Sequence, residues 1–169
     1  MAGETVLVID DDPFIIELLT DSMSVAGYTV VTAKDGKGAR HVMNSNEFQV
    51  ALIDLSLPDL DGMELVKDIS NESPDAQIII MTGYPSLESA IEALRNGAQD
   101  YIVKPFKVPE IQAAVGRALN NQRLQAEVRE LRRRVRDLEQ EVHRLRGEGA
   151  RPQAARPAPL PGAYGTAGP

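Results

Sequence analysis

The sequence has no cysteine and no tryptophan, and aromatic residues make up only 4% of it. Without cysteine, the chain can form no disulfide, no thiolate-based zinc site and no cysteine nucleophile. The two histidines, His41 and His143, lie too far apart in the sequence to form a local metal-binding motif. The scarcity of aromatic residues argues against a sugar-binding cleft, so a glycosidase-type pair of carboxylates is only a formal alternative.

Long apolar runs are absent as well. No run approaches the roughly 20 residues that a membrane-spanning helix requires. Residues 1–4 form neither a basic segment nor an apolar one, which argues against a secretory signal. These absences predict a cytoplasmic protein.

Charge is distributed unevenly along the chain, whose net charge is −7. Residues 1–110 contain 19 acidic and 7 basic residues, whereas residues 111–169 contain 6 acidic and 11 basic residues. The acidic first part argues against non-specific DNA binding by that part. It also suggests that its carboxylates are arranged to serve a function.

Short apolar runs alternate with helical patterns over the first 105 residues. The predicted strands cover residues 5–9, 29–33, 49–53, 76–81 and 101–103, and the predicted helices cover residues 13–25, 38–46, 62–71 and 87–96. This alternation predicts an α/β fold, a doubly wound five-stranded parallel sheet with helices on both faces.

Polar residues follow four of the five predicted strands. Asp10 and Asp11 follow the first strand, Asp54 the third, Thr82 the fourth and Lys104 the fifth. Because ligands bind beyond the carboxyl ends of the strands in open α/β sheets, these side chains are expected to converge there. The competing interpretation is that each residue caps the next helix. Capping explains the acidic cluster poorly, because carboxylates repel one another unless a cation or a proton intervenes.

The cluster has the chemistry of a phosphorylation site. Mg²⁺ typically binds one or two carboxylates together with waters and phosphate oxygens. An aspartate can form an aspartyl phosphate, while an ammonium such as Lys104 and a hydroxyl such as Thr82 stabilise charge on the phosphoryl oxygens. No glycine-rich loop precedes a Lys-Ser or Lys-Thr pair, so a nucleotide is not the expected donor. Asp12 is assigned to capping the helix that begins at Pro13 in preference to contributing to this pocket.

Several motifs occur at the predicted strand ends. They are VLVIDD at residues 6–11, LID with LP and DG at residues 52–62, MTG at residues 81–83 and YIVKPF at residues 101–106. In order and spacing they resemble the receiver domain of two-component response regulators, in particular that of the enhancer-binding regulators. The resemblance implies a flavodoxin-like receiver whose phosphoryl donor is a phosphohistidine on a sensor histidine kinase or a phosphotransfer protein.

The resemblance also implies which residues form the phosphorylation site. Asp54 would be the phosphoacceptor. Mg²⁺ would be bound by Asp54, by Asp11 and the backbone carbonyl of Ser56 directly, and by Asp10 through a water molecule. The side chains of Ser56 and Tyr84 lie at positions that would influence attack of water on the phosphoryl group.

Three further residues are assigned roles by the same resemblance. Lys104 would pair with the phosphoryl group, and its peptide bond to Pro105 is expected to be cis. Thr82 and Tyr101 would form the switch pair. The Thr82 hydroxyl would move to a phosphoryl oxygen, and the Tyr101 ring would rotate inward into the vacated space.

A heptad repeat follows the predicted last helix of the receiver. Asn121 occupies an a position, and after it Leu at d alternates with Val at a through Leu124, Val128, Leu131, Val135, Leu138, Val142 and Leu145. Val at a with Leu at d favours a parallel two-stranded coiled coil, and a buried Asn pair fixes its register. The alternative, a solvated single helix, leaves the seven apolar positions unexplained.

Charges beside the apolar positions also favour a parallel homodimer. Each g position then faces the e position of the next heptad in the partner, which gives the attractive pairs Glu127–Arg132, Arg134–Glu139 and Glu141–Arg146. An antiparallel pair centred on Arg134 would oppose like charges. DNA contact by the arginines at 129–136 is not favoured, since the basic region of zipper proteins precedes the heptads.

These predictions define three parts of the chain: a receiver domain at residues 1–120, a coiled coil at 121–147 and a disordered Gly/Pro/Ala-rich tail at 148–169. The predicted function is a stand-alone response regulator that signals through phosphorylation-dependent protein–protein interaction. It is not expected to be an enzyme beyond promoting its own aspartyl phosphorylation and dephosphorylation. The alternative is a fragment of a longer transcription regulator without its ATPase and DNA-binding domains. A hydrolase of the aspartyl-phosphate type is a weaker third interpretation.

Overall fold

A computed structural model describes residues 3–148 of the chain. The strands are β1 (Thr5–Ile9), β2 (Thr29–Ala33), β3 (Val50–Asp54), β4 (Gln77–Thr82) and β5 (Ala98–Val103). The helices are α1 (Pro13–Val25), α2 (Gly36–Ser45), α3 (Gly62–Glu72), α4 (Leu87–Arg95) and α5 (Val108–Glu148). The chain divides into two compact units, Met1–Val128 and Arg129–Pro169. The predicted tail lies outside the described residues, except for Glu148.

The five strands form one parallel sheet in the order β2-β1-β3-β4-β5. Strands β3 and β4 are buried along their whole length, and β1 is buried after its first residue. Their near-continuous apolar sequences therefore reflect helices packed on both faces of the sheet. The edge strands β2 and β5 are more exposed. The predicted doubly wound parallel fold is confirmed.

Two apolar clusters lie on opposite faces of this sheet. One cluster packs side chains such as Leu7 and Ile53 against α2, α3 and α4. The other packs Val8 and Leu52 against α1 and against Ile111, Val115 and other residues of α5. Alternate residues of each central strand thus contribute to different clusters, as the pleat of a strand requires.

Two elements begin earlier than predicted. Strand β5 begins at Ala98 and not at residue 101. The prediction missed its first residues because residues 99 and 100 are polar and interrupt the apolar pattern. The pairing of β5 with β4 also shifts in register between Ile78 and Ile79. Helix α2 begins at Gly36 and not at residue 38. Its N-cap Asp35 accepts the Gly38 N–H, and two earlier N–H groups are bound by a carboxylate from another part of the chain.

Helix α5 changes its apolar pattern along its length. Ile111, Val115 and Leu119 form one apolar face near its start and are buried against the sheet. From Leu124 to Leu145 the Val and Leu residues of the heptad repeat are 45–65% exposed. Among the described residues, no helix is both long enough and apolar enough to cross a membrane.

Gly62 lies where the start of α3 approaches the end of β3. A Cβ atom at this position would lie 2.4 Å from the Asp54 carbonyl oxygen and 2.6 Å from Leu55 Cα. Its N–H donates to the Leu55 carbonyl at 2.9 Å, which closes the connection between the two elements. Only glycine fits this position without movement of the backbone that carries Asp54.

Substitution Gly62→Ala is therefore expected to destabilise the fold by about 1–3 kcal/mol through overpacking. Chemical unfolding measures this change. Gly116→Ala is the matched control, because a Cβ at Gly116 in α5 meets nothing within 4 Å. That variant is expected to be more stable by up to about 1 kcal/mol, since Ala favours a helix over Gly. Equal stability of the two variants would contradict the steric argument.

Candidate functional site

The polar residues predicted to converge do lie together at the carboxyl edge of the sheet. Asp10 and Asp11 directly follow β1, and Asp54 and Thr82 are the last residues of β3 and β4. Lys104 directly follows β5, and its N–H donates to the Thr82 carbonyl at 2.8 Å. The Lys104–Pro105 peptide bond is cis, as predicted.

Three carboxylates form the centre of this edge. Oxygen atoms of Asp10, Asp11 and Asp54 all lie within 4.8 Å of one another. Asp10 is fully buried and Asp54 is 4% exposed, whereas Asp11 is exposed. The cluster therefore has two buried members and one member that faces solvent, through which an ion or a phosphoryl group can approach.

Lys104 is the counter-ion of the two buried carboxylates. Its Nζ donates to Asp10 Oδ2 at 2.6 Å and to Asp54 Oδ2 at 2.7 Å. Burial alone would lower the pKa of Lys104, but its hydrogen bonds to the two carboxylates outweigh burial and raise this pKa. Burial raises the pKa of Asp10, although its hydrogen bonds to Lys104 and to the Asp12 N–H oppose that effect.

The remaining carboxylate oxygens are held by the backbone. Asp54 Oδ1 accepts the Ser56 N–H at 2.9 Å, and Asp10 Oδ1 accepts the Asp12 N–H at 2.9 Å. The Asp12 carboxylate itself accepts the Phe14 N–H at 2.9 Å and caps α1, as predicted. These bonds fix the orientation of Asp10 and Asp54 and leave their Oδ2 atoms facing Lys104.

Thr82 and Tyr101 occupy neighbouring strands beside the acidic cluster. The buried Thr82 hydroxyl accepts the Tyr84 N–H at 3.1 Å. The half-buried Tyr101 shares a 2.7 Å hydrogen bond between its hydroxyl and Ser89 Oγ. Ser89 belongs to the capping box that Ser86 begins at the start of α4.

Sequence reasoning missed Ser89 as the partner of Tyr101. The Ser-x-x-Ser spacing at residues 86–89 signals the start of a helix. It contains no information about which strand residue faces that helix, because the contact depends on how α4 packs beside β5.

The donor atoms of the cluster suit a hard cation. Carboxylate oxygens of Asp10, Asp11 and Asp54 are close enough to share one ion. Among the described residues, Lys104 is the ammonium that pairs with Asp10 and Asp54, so a divalent cation would relieve the remaining repulsion of the three carboxylates. Mg²⁺ prefers such oxygen ligands.

The strand order and this carboxyl edge define a flavodoxin-like α/β domain whose ligand site is built from aspartates, a lysine and a threonine. Residues 6–116 match the family described as the response regulator receiver domain. The chain belongs to this family. Receiver domains bind Mg²⁺ at a cluster of aspartates, which here corresponds to Asp10, Asp11 and Asp54.

Individual relatives agree with this assignment. The regulatory protein AtoC of Escherichia coli is 33% identical over 126 residues, which are 75% of this chain and 27% of AtoC. The C4-dicarboxylate transport transcriptional regulatory protein DctD of Pseudomonas aeruginosa is 33% identical over 92% of this chain and 34% of DctD. A CheY-like receiver structure from Methanospirillum hungatei has a TM-score of 0.71 at 29% identity and covers 73% of this chain and 98% of that one. The chain thus spans about a third or less of the length of these two regulators.

Substitution Asp10→Asn is expected to stabilise the Mg²⁺-free protein at neutral pH by about 0.5–2 kcal/mol, the usual size of a stabilising substitution. The pKa of Asp10 is higher in the folded protein than in the unfolded chain. At a pH above the folded pKa, the ionised Asp10 carboxylate therefore lowers the stability of the fold by its full amount. This loss of stability disappears below the ordinary value of 3.8. Unfolding with a chelator present should show a stability gain at pH 7 that shrinks as the pH falls towards 3.8. A gain that does not depend on pH would contradict this origin.

Proposed function

We propose that the chain is a response regulator that accepts a phosphoryl group on Asp54 from a phosphohistidine of a sensor histidine kinase or a phosphotransfer protein. The observation that supports this most directly is the placement of Asp54. It is almost buried at the end of β3, with one oxygen bound to the Ser56 N–H and the other 2.7 Å from Lys104 Nζ. In the reaction, an Asp54 oxygen bonds to phosphorus while the phosphorus–nitrogen bond breaks, and that electron pair remains with the imidazole.

Mg²⁺ would be held by Asp10, Asp11, Asp54 and the backbone carbonyl of Ser56. When bound, it neutralises negative charge on the phosphoryl oxygens. The protein itself orients the nucleophile, because the Ser56 N–H holds Asp54 Oδ1. It also keeps Asp10 and Asp54 shielded from bulk water, which strengthens every electrostatic interaction at the site.

Lys104 and Thr82 stabilise the product in this proposal. The Lys104 ammonium already contacts Asp54 and needs only to exchange a carboxylate oxygen for a phosphoryl oxygen. The raised pKa of Lys104 keeps the group charged at neutral pH. Thr82 at the end of the adjacent strand offers its hydroxyl as a donor to the phosphoryl group.

Tyr101 would link phosphorylation of Asp54 to a change at the surface of the domain. Its hydroxyl is bonded to Ser89 in the first turn of α4. Inward rotation of the ring after Thr82 moves would break that bond and alter the start of α4. Phosphorylation would thereby shift the population of conformers that a partner protein recognises. The output is phosphorylation-dependent protein–protein interaction in the cytoplasm.

A second candidate is that this chain is part of a longer transcription regulator. AtoC and DctD are regulatory proteins, and the chain matches 27% and 34% of their respective lengths. In that case the same phosphorylation chemistry at Asp54 would control further domains of the longer protein. The site and its test are the same under both candidates.

The heptad helix supplies a further partner contact. We propose that it pairs with a second copy of the chain in a parallel coiled coil over residues 121–147. The Val and Leu residues at a and d are about half exposed in the single chain. Glu130 pairs with Arg134 within one helix, and Glu141 with Arg144. These exposed pairs each contribute only a few tenths of a kcal/mol, so Arg134 and Glu141 can exchange them for the g–e′ partners of a dimer.

Phosphorylation is tested with acetyl phosphate and Mg²⁺ on the wild type and on Asp54→Asn. The wild type is expected to gain one phosphoryl group by mass spectrometry, and the variant none, because it lacks the nucleophile. Asp21→Asn, an exposed carboxylate on α1, is the control and should label like the wild type. Undiminished labelling of Asp54→Asn would refute the assignment.

Pairing is tested by cross-linking, which the absence of native cysteine makes unambiguous. Leu124→Cys at a d position should form an intermolecular disulfide under mild oxidation, because parallel in-register helices place both copies of residue 124 side by side. Ala126→Cys, on the outer face of the heptad, is the control and should cross-link much less. A monomeric mass in sedimentation, or equal cross-linking of the two variants, would contradict the parallel dimer.

A further inference from the structure

The loop between β3 and α3, residues 55–61, is attached to the start of α2. Asp59 Oδ1 accepts the Gly36 N–H at 2.7 Å, and Asp59 Oδ2 accepts the Lys37 N–H at 2.9 Å. Both N–H groups belong to the first turn of α2, where a helix leaves its donors without internal partners and favours a negative charge. These two hydrogen bonds lower the pKa of Asp59, so its carboxylate stays ionised.

A second contact joins the same two segments. A Cβ atom at Gly36 would lie 2.1 Å from Leu60 Cδ2, so the Leu60 side chain rests directly on the glycine backbone. Leu60 and Asp59 are consecutive residues at the tip of the loop. Leu60 provides an apolar contact with the start of α2, and Asp59 accepts two hydrogen bonds from it.

The base of the loop lies beside the acidic cluster. Ser56 and Asp61 form an isolated antiparallel bridge, and the Gly62 N–H donates to the Leu55 carbonyl at 2.9 Å. The loop is therefore a short arch with Ser56 at its base. Ser56, Pro58 and Asp59 are exposed, so little burial of their own side chains holds the arch in place.

We propose that Asp59 is a positioning residue for the metal site, because its bonds to α2 fix the arch that presents the Ser56 carbonyl to Mg²⁺. This inference rests on the proposed function of the site. Ser56 is three residues from Asp59, and its N–H is already fixed by Asp54. The Ser56 N–H is held by Asp54 and the tip of the arch is held by α2, so the segment that carries the Ser56 carbonyl is fixed on both sides.

The test compares Mg²⁺ binding to Asp59→Ala and to the wild type by calorimetry, without a phosphodonor. Loss of the anchor is expected to weaken Mg²⁺ binding on the order of tenfold, the scale found when supporting partners of metal ligands are removed. The Mg²⁺ concentration that gives half-maximal labelling with acetyl phosphate should rise by a similar factor, since the proposed labelling requires the bound ion. Asp59→Asn retains one acceptor and should show a smaller loss, and it serves as the test variant if the alanine variant does not fold.

Asp68→Ala is the matched control. Asp68 on α3 also contacts α2, through Arg40 at 2.9 Å, and its removal changes the charge equally without touching the arch. Its Mg²⁺ affinity should equal that of the wild type. Unchanged affinity of both Asp59 variants, or an equal loss in Asp68→Ala, would overturn the inference. A wild type that neither binds Mg²⁺ nor labels would instead refute the proposed function.

Discussion

The paired contact of Lys104 with Asp10 and Asp54 is the interaction on which the rest of the site depends. Strands β1 and β3 are neighbours in the sheet, so the residues at their carboxyl ends necessarily lie side by side. Two buried carboxylates in that arrangement repel each other unless a cation is present. The ammonium of Lys104, at 2.6 Å and 2.7 Å from them, supplies that cation from the residue that follows the edge strand β5. Asp11 adds a third carboxylate on the open side, which leaves an excess of negative charge where a divalent ion can enter.

The same interaction fixes the charged groups of the site in advance, an arrangement that suits the proposed phosphoryl transfer. Catalysis by fixed charges is effective when the groups do not have to be reorganised during the reaction. Lys104 is already within hydrogen-bonding distance of Asp54, and the Ser56 N–H already holds the other Asp54 oxygen. Thr82 and Tyr101, the proposed switch pair, lie on the next two strands of the sheet. The Tyr101 hydroxyl is bonded to Ser89 of α4, so the proposed movement of Tyr101 would also affect the start of that helix.

The sequence predicted the features that depend on local pattern and on general rules of parallel sheets. The near-continuous apolar runs of β1, β3 and β4 identified the central strands, and the rule that ligands bind at the carboxyl edge placed Asp10, Asp54 and Lys104 together. Features that depend on tertiary partners were missed. The start of α2 at Gly36 depends on Asp59, which lies 23 residues away, and the partner of Tyr101 depends on the packing of α4. Such contacts have no periodic signal in the chain.

The start of α5 and its heptad region differ in how far their apolar side chains are buried. Ile111, Val115 and Leu119 bury their side chains within the receiver core. The heptad residues from Leu124 onwards keep about half of their surface exposed among the described residues. Burial of an apolar stripe of this kind against another surface is favourable, because it removes apolar area from water. In the proposed parallel dimer, the charges beside the stripe would favour a second copy of the same helix in register, because Glu127, Arg134 and Glu141 would each face an opposite charge across the interface.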